Sequence, residues 1–269
     1  MGSVNGQPFE SVFADAPMKA IVGKSKTIFY VHPGVLRQGI SALTAMVAGP
    51  WHKAGEKVID WSCFDEETIN CVLGFCYGQR PYCIPWQSAI NNGESVPESV
   101  LTKSDAEEDA EPKSSPTIRS YTGDAIVLHA KVYSFAHHYL VDDLQSFALM
   151  QMKDCFEPCL KEYSSSPKAT CRCLADAIQI IYGNTFSSNN NVNPARKQIS
   201  GFIAASYDKL SHYFAHFHED TGTFMIDLAF ELSRLLQSMK ADLISKEYQI
   251  DALLPPEPKK QRCKIQPLR

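Results

Sequence analysis

Two periodicities in the order of apolar and polar residues divide this chain into a short β-rich start and a long helical remainder. Apolar residues on both sides of a polar turn, with Ile28 and Tyr30 alternating after it, predict a β-hairpin over residues 19–32. Two short helices are predicted over residues 33–48, and a further strand over residues 57–61. The N-terminal part therefore predicts a small sheet.

Apolar residues at helical spacing predict six helices in the rest of the chain. These cover residues 65–77, 124–139, 143–155, 170–182, 194–218 and 223–249. Asp65 suits the N-cap of the first helix and Gly78 its end, while Asp142 and Gln145 form a capping-box pattern at the third. A small sheet with many helices predicts the α+β class.

Two segments have a composition that cannot build a core. Residues 88–120 contain seven acidic residues, three basic residues and no aromatic residue, and residues 255–269 contain five basic residues and four prolines. Such segments bury too little apolar surface to offset the entropy lost on ordering, so we expect both to be disordered. Serine and proline near residues 161–170 predict a softer boundary.

Composition and charge narrow the class of protein. The chain has 269 residues, of which 44% are apolar and 21% charged, and its net charge is −4. These values are typical of a globular protein with a sizeable core, and they argue against a generally basic surface for nucleic acid. No apolar run reaches the roughly 18 residues that span a bilayer, and the first residues lack the order of a secretory signal. We therefore expect an intracellular protein, nuclear or cytoplasmic, without membrane or nucleic-acid partners.

The nine cysteines include no C-x-x-C pair, the spacing at which zinc ribbons and fingers bring two ligands together. Without a secretory signal, a disulfide framework is not expected either. Several of the cysteines occupy apolar positions of helical patterns, where a thiol behaves as a small hydrophobic group. We interpret them as reduced core residues.

A short segment near the N-terminal end resembles a nucleotide site. Gly23-Lys24-Ser25 matches the end of a phosphate-binding loop, but Met18 stands where that loop needs its first glycine. Without that glycine the backbone N–H groups cannot wrap around the phosphates. We therefore interpret the segment as a polar hairpin turn.

Three histidines in one segment raise the question of a metal site. His212 and His216 are four residues apart on one helix face, and His218 follows. That spacing can bind zinc, but Tyr213 replaces the glutamate of the metalloprotease motif, and interleaved aromatic residues favour a helix that packs. No nucleophile elbow, cysteine signature or glycine-rich dinucleotide loop is present either. We assign no catalytic, cofactor or metal residue and expect no enzyme; an enzyme or metal-binding protein that uses this helix is an alternative.

Four basic residues near the C-terminal end form a K-K-x-R pattern. They are Lys259, Lys260, Arg262 and Lys264. In an exposed, unfolded segment this pattern is typical of a nuclear import signal, and a solvating tail has the same composition. Both interpretations stay open.

Several short motifs follow one another along residues 17–155. The first part carries Val31-His32 with Leu36, then Val58-Ile59-Asp60, then Phe75-Cys76-Tyr77-Gly78 at a helix end. The second part carries Val132-Tyr133-Ser134-Phe135-Ala136-His137-His138-Tyr139, then Val141-Asp142-Asp143-Leu144 with Ala148. In these motifs and in the order of its elements, the chain resembles the BTB/POZ domain in the form common in filamentous-fungal proteins. It departs from the family at Pro33, where a lysine is usual.

The resemblance implies a BTB/POZ fold over residues 17–155, after an N-terminal segment of residues 1–16 and interrupted by the insertion 88–120. Residues 156–254 would then form an all-helical region before the basic tail 255–269. The family's domain binds proteins and often self-associates. The resemblance therefore implies a scaffold or adaptor without catalysis, with a homodimer through this domain.

Some family members recruit substrates to a cullin ubiquitin ligase through a hydrophobic residue and a glutamate before the strand. This chain has Trp51, His52 and Lys53 there, and we take these three as the candidate partner surface. Trp51 supplies the apolar part, but Lys53 carries the opposite charge. An unmatched charge at an interface costs about 2–5 kcal/mol, so the role of substrate adaptor is the less favoured alternative.

Overall fold

Three short strands form one mixed sheet in the N-terminal part of the protein. The computed structural model describes residues 15–39, 58–78, 82, 121–187, 192–214 and 222–253. Strand β1 (Met18–Val22) pairs antiparallel with β2 (Thr27–Val31) and parallel with β3 (Val58–Trp61), which gives the order β2-β1-β3. The predicted hairpin and the predicted strand are confirmed.

The turn between β1 and β2 is polar. Gly23 and Lys26 have φ values of 71° and 57°, a left-handed region that glycine enters without strain. The Lys26 N–H donates to the Gly23 carbonyl at 3.1 Å, and the Ser25 hydroxyl donates to Glu66 Oε1 at 3.0 Å. The segment that resembles a phosphate loop therefore lies in a hairpin turn, as interpreted, and not between a strand and a helix as such a loop requires.

Nine helices account for most of the described residues. They are α1 (Pro33–Gly39), α2 (Glu66–Cys76), α3 (Tyr121–His138), α4 (Asp142–Asp154), α5 (Phe156–Tyr163), α6 (Pro167–Asn184), α7 (Pro194–Ala205), α8 (Tyr207–Phe214) and α9 (Gly222–Leu253). With the three-stranded sheet they make a mixed α+β protein, which is the class that the sequence predicts.

Helix α2 begins and ends where its sequence predicts. The Asp65 carboxylate accepts a hydrogen bond from the Thr68 N–H at 2.8 Å and so caps the first turn. Gly78, with φ of 82°, follows the last turn. The Asp65 carboxylate also pairs with Lys131 of α3 at 2.6 Å, which ties the cap to the neighbouring helix.

The capping box predicted at Asp142 and Gln145 is wrong. Helix α4 begins at Asp142 itself, and its N-cap is Val141, which has no side-chain cap bond. The Gln145 amide donates to Asp142 Oδ1 at 3.3 Å and to the Ala136 carbonyl at 3.4 Å. The tight connection from α3 is the reason: Leu140 has φ of 55°, and the Val141 N–H closes back on the Ala136 carbonyl at 2.8 Å.

The single helix predicted over residues 194–218 is also wrong, because the chain turns at Ser206. Ser206 has φ of −115° and leaves helical geometry, so α7 ends before it and α8 begins after it. The turn brings Leu210 of α8 into the core, where it is fully buried. Residues 215–218 lie outside the described residues. Helix α5, which the sequence did not predict, buries Phe156 and Cys159 in the same core.

Most of the described cysteines are core residues, as predicted. Cys71, Cys155, Cys159, Cys171 and Cys173 are buried, Cys76 is partly buried, and no disulfide joins these residues. Loss of hydration raises the pKa of the Cys71 thiol to about 12 and that of Cys171 to about 11, so both thiols are protonated and unreactive at neutral pH. The prediction is wrong for Cys63, which is exposed after β3.

Helix α3 lies at the centre of the core. It packs against α2, α4, α5 and α6, and of its described side chains only that of His138 is exposed. The ring of Phe135 meets Trp61 of β3 and Phe64 edge-to-face, with centroids 5.6 and 4.9 Å apart. The buried cluster continues past residue 155 to Ile199 of α7 and Leu228 of α9.

Replacing Phe135 by alanine should lower the free energy of unfolding by about 3–5 kcal/mol, because the change leaves a cavity among the aromatic rings of the core. Urea unfolding of the full chain measures this quantity. Phe186→Ala is the matched control: its ring is 85% exposed, so the change should stay within about 0.5 kcal/mol. Equal losses in the two variants would contradict the role of Phe135 in the core.

One histidine is enclosed in this core. His129 of α3 has no exposed surface, and its Nδ1 lies 2.9 Å from the Tyr82 hydroxyl. Within the part of the chain that the structure describes, its Nε2 has no hydrogen-bond partner. Burial lowers the pKa of His129 to about 4, because a charged imidazolium would lose its hydration there. The folded protein therefore keeps this ring neutral.

Protonation of the unfolded chain at residue 129 should destabilise the protein as the pH falls below about 6.5, the ordinary pKa of histidine. Between that pH and the folded pKa of about 4, the unfolded state binds a proton that the folded state excludes. The His129 contribution should reach about 2 kcal/mol near pH 5. Urea unfolding near neutral pH and near pH 5 should show a smaller loss for His129→Gln than for the unmodified chain. The same loss in both proteins would rule out a neutral buried His129.

Candidate interaction surface

Most of the candidate site residues named from the sequence lie outside the described part of the chain. They are the candidate partner surface Trp51, His52 and Lys53, the import pattern Lys259, Lys260, Arg262 and Lys264, and the histidines His216 and His218. The two low-complexity segments 88–120 and 255–269 lie outside it as well. His212 belongs to α8, but its side chain is not among those described. These hypotheses therefore stay predictions.

A groove beside the sheet, but no cluster of metal ligands, is found among the described residues. No three His, Cys, Asp or Glu side chains converge there as metal ligands would. A groove of about 480 Å³ beside β1 is lined by Asp15, Ala16, Pro17, Met18, Lys19, Pro33 and Val58. Its carboxylate, Asp15, is paired with Arg37 of α1. This lining includes no serine, cysteine or histidine.

Helix α9 differs from the other described helices because only its first part packs against the protein. Phe224 and Leu228 are buried, and Leu235 is half-buried at the edge of the core. Every side chain of residues 236–250 is exposed. At 1.5 Å per residue, residues 236–253 extend the helix by about 27 Å past its packed part.

A buried polar network anchors the base of α9. Arg196 of α7 donates to the carbonyl oxygens of Tyr182, at 3.1 Å, and of Thr185, at the C-terminal end of α6 where the helix dipole is negative. Its guanidinium lies 4.5 Å from the centre of the Tyr182 ring. The Tyr182 hydroxyl donates to Asp227 of α9 at 2.7 Å, and Phe224 packs edge-to-face on the same ring. One tyrosine thereby couples three helices.

The charges around this tyrosine keep the network in one state. Burial and the Asp227 carboxylate raise the pKa of Tyr182, so its hydroxyl stays protonated and donates. On the next turn of α9, the buried Glu231 accepts from Arg234 at 2.7 Å. The base of α9 is therefore held by directional bonds as well as by apolar packing, which fixes the direction of its exposed part.

Large apolar side chains run along the exposed part of α9. The apolar stripe consists of Leu236, Met239, Leu243, Ile250 and Leu253, each between 58% and 85% exposed. They recur three and four residues apart, with Lys246 at the one charged position of the repeat. This is the a/d spacing of a two-stranded coiled coil. Leu228, which the core covers, lies beside this stripe, so the packed and the exposed parts of α9 use neighbouring faces of the helix.

Polar residues border the apolar stripe on both sides. Lys240 and Glu247 follow its d positions on one side, and Asp242 and Gln249 precede its a positions on the other. Both charges are therefore present at the edge of the stripe. An amphipathic helix of this kind is suited to bind a second helix.

The sequence predicted a helix over residues 223–249 but did not identify the stripe. A spacing of three and four residues looks the same whether a helix packs on its own core or exposes that face. What separates the two cases is how far the rest of the protein covers α9, and Leu235 is the last of its side chains described as packing against the core. The sequence signal that could have identified the stripe is the continuation of the a/d repeat beyond Leu235.

Comparison with protein-family models, with curated proteins and with solved structures produced no match to this chain. None of the described helices has both the length and the apolar character needed to cross a membrane. No relative therefore supplies a function for the apolar stripe.

Arg196→Met should lower the free energy of unfolding by about 2–4 kcal/mol, because it leaves buried carbonyl oxygens of α6 without a donor. Urea unfolding measures the loss. Arg172→Met is the control, since Arg172 is an exposed arginine of α6, and should change stability by less than about 0.5 kcal/mol. If Arg196→Met were as stable as the control, the network would not anchor α9.

Proposed function

We propose that this chain is a protein-interaction scaffold or adaptor that acts without catalysis. The observation that supports the proposal is the apolar stripe, which leaves five large side chains exposed on a helix with a firmly held base. Exposure of each such side chain forgoes roughly 1.5–3 kcal/mol relative to burial. A contiguous exposed apolar surface is typical of a site that another protein covers.

The sheet offers a second, smaller apolar surface. Ile28 and Tyr30 lie on β2, which is an edge strand of the described sheet, and both are more than half exposed. An edge strand can accept a further strand through its backbone. Two side chains supply less contact area than the five of the apolar stripe, so we place the main partner site on α9.

We include membership of the BTB/POZ family in this proposal. The hairpin, α1, β3, α2, α3 and α4 follow one another in the order that the resemblance implies. Two of its motifs are in contact, since the His32 N–H donates to the Tyr77 hydroxyl at 3.1 Å. A third motif supplies Phe135 and Tyr139, whose ring centroids are 4.6 Å apart. An intracellular location, nuclear or cytoplasmic, fits a scaffold of this kind.

Charge placed in the apolar stripe should abolish binding without unfolding the chain. The test variant carries Leu236→Asp and Leu243→Asp. Tagged full-length chain captures proteins from native extract, and quantitative mass spectrometry compares the variant with the unmodified chain. Partners of the stripe should decrease about tenfold or more, because two desolvated apolar contacts become buried charges.

The control carries Ser238→Asp and Ser245→Asp, which add the same charge to the same exposed segment but outside the apolar stripe. Both variants should unfold within about 0.5 kcal/mol of the unmodified chain, because all four positions are exposed. Capture should persist in the control. Equal capture by the two variants would refute the assignment of the partner site to α9.

A further inference from the structure

We infer that the partner of the apolar stripe is a second copy of this chain, which binds antiparallel along residues 236–253. The inference rests on the proposed function, because it names the partner of the same surface. Two observations carry it: the a/d repeat of the stripe aligns with a second copy that runs in the opposite direction, and the charges beside the stripe attract in that direction.

The a/d repeat of residues 236–253 aligns with that of a second copy running in the opposite direction, so every a or d position has a partner. In an antiparallel pair, each a position faces a d position of the second helix. Leu236 then meets the second copy's Leu253, and Met239 meets the second copy's Ile250. Leu243 meets the second copy's Lys246. Symmetry repeats these three layers, which makes six layers along the whole exposed segment.

The charges beside the stripe favour the antiparallel direction. Lys240 lies opposite the second copy's Glu247, so this attractive pair forms twice. The ammonium group of Lys246 lies beside the second copy's Asp242. In a parallel pair, Lys246 would face its own copy across the core, and Asp242 would lie beside the second copy's Glu247. Both parallel contacts are repulsive, which selects the antiparallel pair.

The size of the contact sets the affinity range. Two exposed segments of this length bury on the order of 1,000 Å² in total, at the low end for a specific interface. Such an area, with four apolar layers, two layers that pair Leu243 with Lys246, and two ion pairs, fits a reversible dimer with a dissociation constant in the micromolar range. Concentrations from about 1 to 500 µM therefore cover the transition.

Sedimentation equilibrium of the full chain over this range tests the inference. The unmodified chain should dimerise reversibly, and Leu236→Asp with Leu243→Asp should be monomeric. Glu247→Lys replaces both attractive pairs by Lys–Lys contacts and should weaken the dimer roughly five- to tenfold. Lys240→Glu combined with Glu247→Lys restores the attraction and should return the affinity to within about twofold. In a parallel dimer, Glu247→Lys would bind more tightly, because Asp242 would gain a partner.

The remaining outcomes distinguish a failure of this inference from a failure of the proposed function. A dimer that persists in the stripe variant, or that Glu247→Lys tightens, overturns the antiparallel assignment. A chain that stays monomeric up to the highest concentration, yet captures other proteins through the stripe, overturns the inference and leaves the scaffold function standing. A chain that neither self-associates nor captures other proteins through the stripe overturns the inference and the proposed function.

Discussion

The near-complete burial of α3 is the constraint on which the rest of the described structure depends. Its polar face is narrow, confined to Asp124, Lys131 and His138, so the helix is stable only when other elements cover the rest of its surface. The sheet covers one side through Trp61 and Phe64, and α2, α4, α5 and α6 cover the others. Each of these elements needs only one apolar face, because its opposite face can stay in water. The position of α3 therefore decides where the sheet and the helices α2, α4, α5 and α6 lie relative to one another.

Helix α6 connects the core around α3 to the candidate interaction surface on α9. One of its faces packs on α3, and its C-terminal end receives the guanidinium of Arg196. Tyr182 then links that end of α6 to Asp227 at the base of α9. A rigid base matters for binding, because a preorganised helix loses less conformational freedom when it meets a partner. The same residues thus contribute to the stability of the fold and to the direction of the apolar stripe.

Two aspartates show why sequence patterns predicted some features and missed others. Asp65 and Asp142 each precede an apolar helical pattern by a similar spacing, and only Asp65 is an N-cap. Asp65 follows a turn that leaves it extended, with φ of −77° and ψ of 165°. Asp142 follows the closely joined end of α3, where Leu140 adopts a left-handed conformation and Val141 takes the cap position. A capping pattern read from sequence carries no information about the connection that precedes it.

The sequence by itself determined the class of fold, the hairpin, the strand that pairs with it, the N-cap of α2 and most of the buried cysteines. These features are local, because periodicity and capping depend on neighbours within a few residues. Only the tertiary structure decided that the chain turns at Ser206, that Cys63 is exposed, and that α9 leaves the core at Leu235. A face with apolar residues at helical spacing is equally suited to a core and to a partner. The choice between them is made by how far the neighbouring helices reach, which no local pattern records.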